Sequence, residues 1–297
     1  MQKFLTLADF APDHDRLIGI DSDGCVFDTM EIKQKQCFHP LIIEHWNLQP
    51  VAPLLREAAE FVNLYSTRRG RNRFLTLVDT FDFLRERPEV RAAGVDVPML
   101  ADVRAWIASG AALGNDELAR TAEATGSREL AGVLAWSRAV NARIAEVVRG
   151  IAPFPGVRES LDRIRGRADL IVVSQTPREA LLREWAEHGL AQEPAFIAGQ
   201  EQGTKTEHLQ QATRDRYPDA HVLMIGDAPG DLEAARDNGA LFYPVNPGQE
   251  AASWKRFASE ACERFFAGTY AGDYERERIA EFEALLPDTP PWRSPSS

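Results

Sequence analysis

Cysteine is scarce in this sequence: Cys25, Cys37 and Cys262 are the only three among 297 residues. Their number is odd, they lie far apart, and no CxxC or Cys/His pattern surrounds them. That argues against a disulfide framework and against a sulfur-ligated zinc, and it points to a reducing compartment. Long apolar runs are also missing, the longest falling far short of the ~20 residues that a membrane helix needs. Residues 1–15 carry charges and no continuous apolar stretch, so no signal peptide is expected. Basic charge is in deficit, with Lys+Arg 34 against Asp+Glu 45 and a formal charge of −11. The overall field of such a chain does not draw it to nucleic acid or to an anionic membrane, although a local basic pocket or a metal still binds an anion. These absences predict a cytoplasmic protein with neither nucleic acid nor membrane as partner. Internal repeats are absent as well.

What is present begins with short apolar runs that end in polar residues. Leu17-Ile18-Gly19-Ile20 leads into Asp21, Leu170-Ile171-Val172-Val173 into Ser174, and Val222-Leu223-Met224-Ile225 into Gly226-Asp227. Weaker runs are Ala195 to Ala198 and Leu241 to Tyr243. Apolar runs without polar alternation suit strands buried on both faces of a parallel sheet. Amphipathic stretches at Val157–Arg165, Glu179–His188 and Asp231–Asn238 read as helices between them. The second has Thr176 as its expected cap, with Pro177 first in the helix and Glu179 three residues after the cap. Strand–helix alternation predicts an α/β fold with a doubly wound parallel sheet, in which ligands bind at the carboxyl ends of the strands.

Residues 30–149 break this alternation. Their patterns are helical throughout (31–46, 54–65, 73–87, 98–109, 115–125 and 128–149), with no buried-strand run. The expected organisation is a Rossmann-like α/β core from residues 1–29 and 150–267, with an all-helical cap of residues 30–149 inserted after the first strand. Residues 268–297 are expected as a C-terminal helical extension ending in a loose Pro/Ser-rich tail. Trp46, Trp106 and Trp136 read as cap core, and Lys33, Lys35 and His39 as surface.

Asp21 and Asp23 place two carboxylates just past a strand, before Gly24. Their repulsion is relieved by a cation or by protonation of one group. Hard oxygen ligands suit Mg²⁺. A metal-held Asp can attack phosphorus, and its neighbour can serve as acid and base. Taken alone, the pair fits a turn or cap equally well. Gly226-Asp227-Ala228-Pro229-Gly230-Asp231 again gathers acids at a strand end, although Asp231 also suits a helix N-terminus. Ser174 and the N–H groups after it make a phosphate cradle, and Lys205 supplies a mobile positive charge.

Together these segments resemble the haloacid dehalogenase superfamily, whose members are mostly phosphatases. The resemblance rests on Asp21-Ser-Asp23-Gly, Val-Val-Ser174, Lys205 and Gly-Asp227-x-x-x-Asp231 over about residues 15–30 and 150–248, with Pro153-Phe-Pro-Gly resembling the re-entry from a cap. It implies Asp21 as nucleophile and Mg²⁺ ligand. It implies Asp23 as acid/base that ligates the metal through its backbone carbonyl. Ser174, with Gln175, would hold the phosphoryl oxygens, Lys205 would neutralise charge around Asp21, and Asp227 and Asp231 would serve the metal. It also implies a type-1 cap that closes over the site. Ser22 stands where the family usually has a larger apolar residue. Dehalogenating and phosphonatase-like members lack an Asp at position 23, so its presence favours a phosphate ester with a poor leaving group.

Four arginines crowd the expected cap at Arg68, Arg69, Arg71 and Arg73. One reading makes Arg69, Arg71 and Arg73 a grip for a second anionic group on a small phosphorylated substrate. The other makes the segment a solvated loop paired with Asp79, Asp82 or Glu86. The expected function is a Mg²⁺-dependent small-molecule phosphatase. The alternatives are a phosphomutase or phosphotransferase, and, further off, a phosphonate hydrolase or a non-catalytic scaffold.

Overall fold

A computed structural model describes residues 6–214, 216–218 and 220–293. They form two compact units, residues 6–30 with 150–287 and residues 31–149 with 288–293. The last four residues of the expected tail, 294–297, lie outside the described residues.

The first unit is built on five strands: β1 (Leu17–Ile20), β2 (Asp169–Val173), β3 (Phe196–Ala198), β4 (Val222–Gly226) and β5 (Leu241–Pro244). All pair in parallel in the order β3-β2-β1-β4-β5. Every residue of every strand is buried, as the unbroken apolar runs predict. Alternate side chains enter two cores. Ile18, Ile20, Val172 and Ile225 face one, and Leu17, Ile171, Val173 and Met224 the other. β1 is central, with β2 on one side and β4 on the other, so the strand order reverses beside it. Such a reversal opens a crevice at the carboxyl ends of the strands. In-register pairing of Ile20 with both Val172 and Ile225 brings the residues that follow β1, β2 and β4 to one edge.

The helix expected to begin after Thr176 runs from Arg178 to Glu187 with Pro177 at the cap, and Thr176 stands outside it. Its hydroxyl donates instead to the Asp23 carboxylate, distant in sequence. Lys205–Thr213 is a helix that the apolar pattern did not announce. The C-terminal helix spans Asp273–Ala284 and docks on the sheet, with Phe282 and Leu286 in the second core and Glu275 accepting the Phe242 N–H at 2.8 Å.

The second unit is helical in all its described elements. Ala52–Leu64 packs against Arg73–Glu86, and Asn115–Thr125 against Arg128–Val147. Trp106 and Trp136 are buried in its core, and Trp46 packs against it. Lys33 and His39 differ from the surface reading. Both are buried, His39 completely. Lys33 opens a π-helical segment, Lys33–Phe38, and His39 begins the α-helix after it, so the two do not share one continuous 3.6-residue period.

Residues 288–293, expected within a loose tail, pack on the helical unit. Asp288 accepts hydrogen bonds from Thr67 Oγ1 (3.0 Å) and Arg68 Nη1 (2.8 Å). The Trp292 ring meets Phe61 and Phe83 edge-on, and its indole N–H donates to Glu86 Oε1 at 3.0 Å. No helix among the described residues is long and apolar enough to cross a membrane.

Candidate active site

β1 delivers Asp21 to the sheet edge. The Asp21 N–H donates to the Ile225 carbonyl at 2.9 Å, which prolongs the β1–β4 ladder by one bond and fixes the side chain's origin. Asp21 is 5% exposed. Its Oδ1 accepts the Ser22 N–H at 2.7 Å, and its Oδ2 accepts Lys205 Nζ at 2.7 Å.

Lys205 is the first residue of its helix, and a capping box sets where that helix begins. Thr204 Oγ1 accepts the Glu207 N–H (3.2 Å), while Glu207 Oε2 accepts the Thr204 N–H (2.7 Å). From there Lys205 Nζ reaches Asp21 and also Asp231 Oδ1, at 2.6 Å. Burial opposes the ammonium charge, but attraction and hydrogen bonds from Asp21 and Asp231 outweigh it and hold the Lys205 pKa well above its ordinary value.

β4 delivers Asp227 and Asp231, both fully buried. Asp231 Oδ2 accepts the Ala228 N–H at 3.1 Å, so this carboxylate caps its own helix while facing the site. The backbone before it must be glycine. A Cβ on Gly226 would lie 2.3 Å from Asp231 Cγ, and only a residue without one lets the strand end pass so close. Burial pushes the Asp231 carboxyl up to about 7; Lys205 opposes the rise, and Asp21 and Asp227 reinforce it.

One oxygen from each of Asp21, Asp227 and Asp231 lies within 4.8 Å of the others, and all three residues are buried. Three buried carboxylates around one point, one of them driven towards protonation, suit a divalent cation that would relieve both burial and repulsion. The donors are hard oxygens, which fits Mg²⁺. The neighbouring Cys25 is not a rival nucleophile. Burial, then Asp227 and Asp21, hold its thiol well above its ordinary range, and so protonated.

Asp23 lies two residues on. Both of its oxygens accept hydroxyl hydrogen bonds, Oδ1 from Thr29 Oγ1 and Oδ2 from Thr176 Oγ1. Neither threonine was singled out in the sequence for this role. Thr176 also joins Ser174 to the group, because its N–H donates to Ser174 Oγ at 3.3 Å. Ser174 itself extends β2, donating its N–H to the Ala198 carbonyl at 3.1 Å. Gln175 Nε2 donates to the Gly203 carbonyl at 3.0 Å, tying the loop after β2 to the segment that leads into Lys205.

Asp21, Asp23, Ser174, Lys205, Asp227 and Asp231 thus come together at one sheet edge. A model of the haloacid dehalogenase-like hydrolases matches residues 112–245, which hold Ser174, Lys205, Asp227 and Asp231. Over that segment the chain is similar to the haloacid dehalogenase-like hydrolases. Among solved structures, a candidate phosphoglycolate phosphatase from Lactobacillus delbrueckii subsp. bulgaricus is similar at 14% identity and a TM-score of 0.50, over 87% of this chain and 99% of that one. A hydrolase from Pseudomonas syringae is similar at 13% identity and a TM-score of 0.47, over 82% and 91% of the two chains. At such identities the first likeness supports the fold alone, and the second adds no argument. No curated protein matches the sequence.

The arginines belong to the helical unit and have partners there. Arg71 Nη1 pairs with Asp79 Oδ2 at 3.1 Å, and Arg68 Nε lies 3.6 Å from the same oxygen. Arg73 donates to Ser137 Oγ (3.1 Å) and Asn141 Oδ1 (2.7 Å) with its guanidinium over the Phe38 ring, and burial lowers its pKa to about 10. Arg69 is buried and donates from Nη1 to the Leu64 carbonyl at 2.9 Å. Of the three acids expected as partners, Asp79 takes this role. Asp82 pairs with Arg85 and Arg104, and Glu86 with Arg293.

Proposed function

We propose that the protein is a Mg²⁺-dependent phosphatase that hydrolyses a small-molecule phosphate monoester through an aspartyl-phosphate on Asp21. The observation that carries this reading is the state of Asp21. It is a buried carboxylate with one oxygen on a backbone N–H and the other on Lys205, beside two further buried carboxylates. Such a group is held in one orientation and shielded from bulk water, as a nucleophile requires.

In the first step an Asp21 oxygen attacks phosphorus, the bond to the ester oxygen breaks, and Asp23 gives its proton to the leaving alkoxide. In the second, Asp23 takes a proton from a water that attacks the same phosphorus. The acyl-phosphate bond breaks, and Asp21 and inorganic phosphate are released. Ser174, Gln175 and the N–H groups of their loop bind the phosphoryl oxygens, and Lys205 offsets the charge spread over them in the transition state. Mg²⁺, held by the carboxylates of Asp21, Asp227 and Asp231 and the carbonyl of Asp23, would supply further positive charge to those oxygens.

The arginine loop is proposed to read a second anionic group on the substrate. Arg71 suits this best, because its side chain is 45% exposed, whereas Arg73 is committed to Ser137 and Asn141.

The test is phosphate release from sugar phosphates, nucleotides and phospho-acids, with Mg²⁺ and after chelation. Release is expected only with the metal, and Asp21→Asn is expected to lower it by at least about a thousandfold. Equal release by Asp21→Asn and wild type would sink the nucleophile assignment.

A further inference from the structure

Ser22 separates the two site carboxylates and is fully buried. Each of its polar groups is fixed. Its N–H holds Asp21 Oδ1 at 2.7 Å, and its carbonyl accepts the N–H groups of Val26 (2.8 Å) and Phe27 (3.0 Å). Its hydroxyl accepts the indole N–H of Trp185 at 3.1 Å. Trp185 is also fully buried, with the Phe27 ring edge-on at 5.9 Å.

We propose that Trp185 is a positioning residue for Asp21, acting through Ser22. The route is short: indole N–H to Ser22 hydroxyl, Ser22 backbone N–H to the Asp21 carboxylate. Trp185 lies on the helix Arg178–Glu187, whose approach carries Thr176, the partner of Asp23. One segment therefore orients both carboxylates, through Thr176 before the helix and through Trp185 within it. The small residue at position 22 fits this arrangement. It leaves room for an indole and offers the oxygen that a buried indole N–H needs, whereas a larger apolar side chain would offer neither. The benefit is geometric, since a displacement of about 1 Å from attack geometry can cost about a hundredfold in rate.

The inference rests on Asp21 as nucleophile, and its test separates the two. Ser22→Ala, Trp185→Phe and the double variant are compared with wild type in the full chain with Mg²⁺. Each single change is expected to lower kcat about ten- to a hundredfold with KM little changed. The double variant is expected to fall no further than the worse single one, because all three lose the same hydrogen bond. A kcat unchanged in Ser22→Ala while the melting temperature falls would overturn the proposal, and so would losses that multiply in the double variant. A second readout needs neither folded variants nor activity. In wild type the Trp185 indole proton, assigned by NMR, is expected to exchange slowly with solvent, and fast exchange removes the proposed hydrogen bond. If wild type releases no phosphate from any substrate, the nucleophile reading fails, while the exchange measurement still decides the contact.

Discussion

At the scale of single residues, the site turns on how Asp23 is held. Two hydroxyls donate to its two oxygens, which describes the carboxylate ready to act as base. A hydroxyl also accepts, so rotation of either threonine accommodates the protonated form that must act as acid. Thr176→Val keeps the shape and removes that adaptability. Its kcat is expected to fall about tenfold, part of the 10²–10⁴ that a placed acid/base contributes. Steady-state phosphate release measures this, and an unchanged kcat would assign Thr176 to packing alone. The same residue shows where sequence reading stops. Thr176-Pro177-x-Glu179 is a sound local signal for a helix start, and a helix does start there. The signal says nothing about Asp23, more than a hundred residues away, which takes the hydroxyl instead. Asp21, Ser174, Lys205, Asp227 and Asp231 were legible because each follows a buried strand or carries a charge of evident use. Thr29 and Thr176 were not, because a threonine's partner is set by the tertiary fold.

Whole elements divide in the same way. The strands were readable because burial on both faces leaves no polar alternation. The helix Lys205–Thr213 has only Leu209 and Ala212 as apolar residues, too few to set a period, although its capping box, Thr204-x-x-Glu207, is present in the sequence. The π-helical segment could not be read by a 3.6-residue period, and His39 shows the consequence. Neither ring nitrogen of His39 has a hydrogen-bond partner among the described residues. Burial, then Arg56 and Lys35, lowers its pKa to about 3. Unfolded, the same imidazole takes up its proton near pH 6.5. Between these values the unfolded chain binds more protons. The His39 contribution to stability is therefore complete above about pH 6.5 and is lost as the pH falls towards 3, by up to about 1.4 kcal/mol per unit. Melting temperatures from pH 7 to pH 4 check this by comparison with His39→Asn, whose curve is expected to fall less steeply. Parallel curves would mean that the ring is already charged in the folded state.

On the scale of the whole molecule, the chain passes between its two units at residues 30–31, 149–150 and 287–288. The third passage follows from the last residues, which fasten to the helical unit through Asp288, Trp292 and Arg293. Composition alone suggested a loose tail, since Pro and Ser dominate it and one Trp among them carries little weight in a pattern. Packing reverses that judgement, because Trp292 completes a satellite cluster with Ala58, Phe61, Val62 and Phe83. Trp292→Ala is expected to lower the stability of the helical unit by about 1–3 kcal/mol. Amide exchange in Ala52–Leu64 and Arg73–Glu86 should quicken while the sheet stays protected. Equal exchange in both proteins would leave the tail without a structural role.

The fastening of Trp292 also sets an order of events in time. A ribosome finishes the helical segment at Arg149 but reaches Trp292 only after the whole sheet has been made. At roughly 5–20 residues per second that interval is about 7–30 s. Throughout it Phe61 and Phe83 lack their last partner, so the helical unit reaches its final packing only once Trp292 has been made.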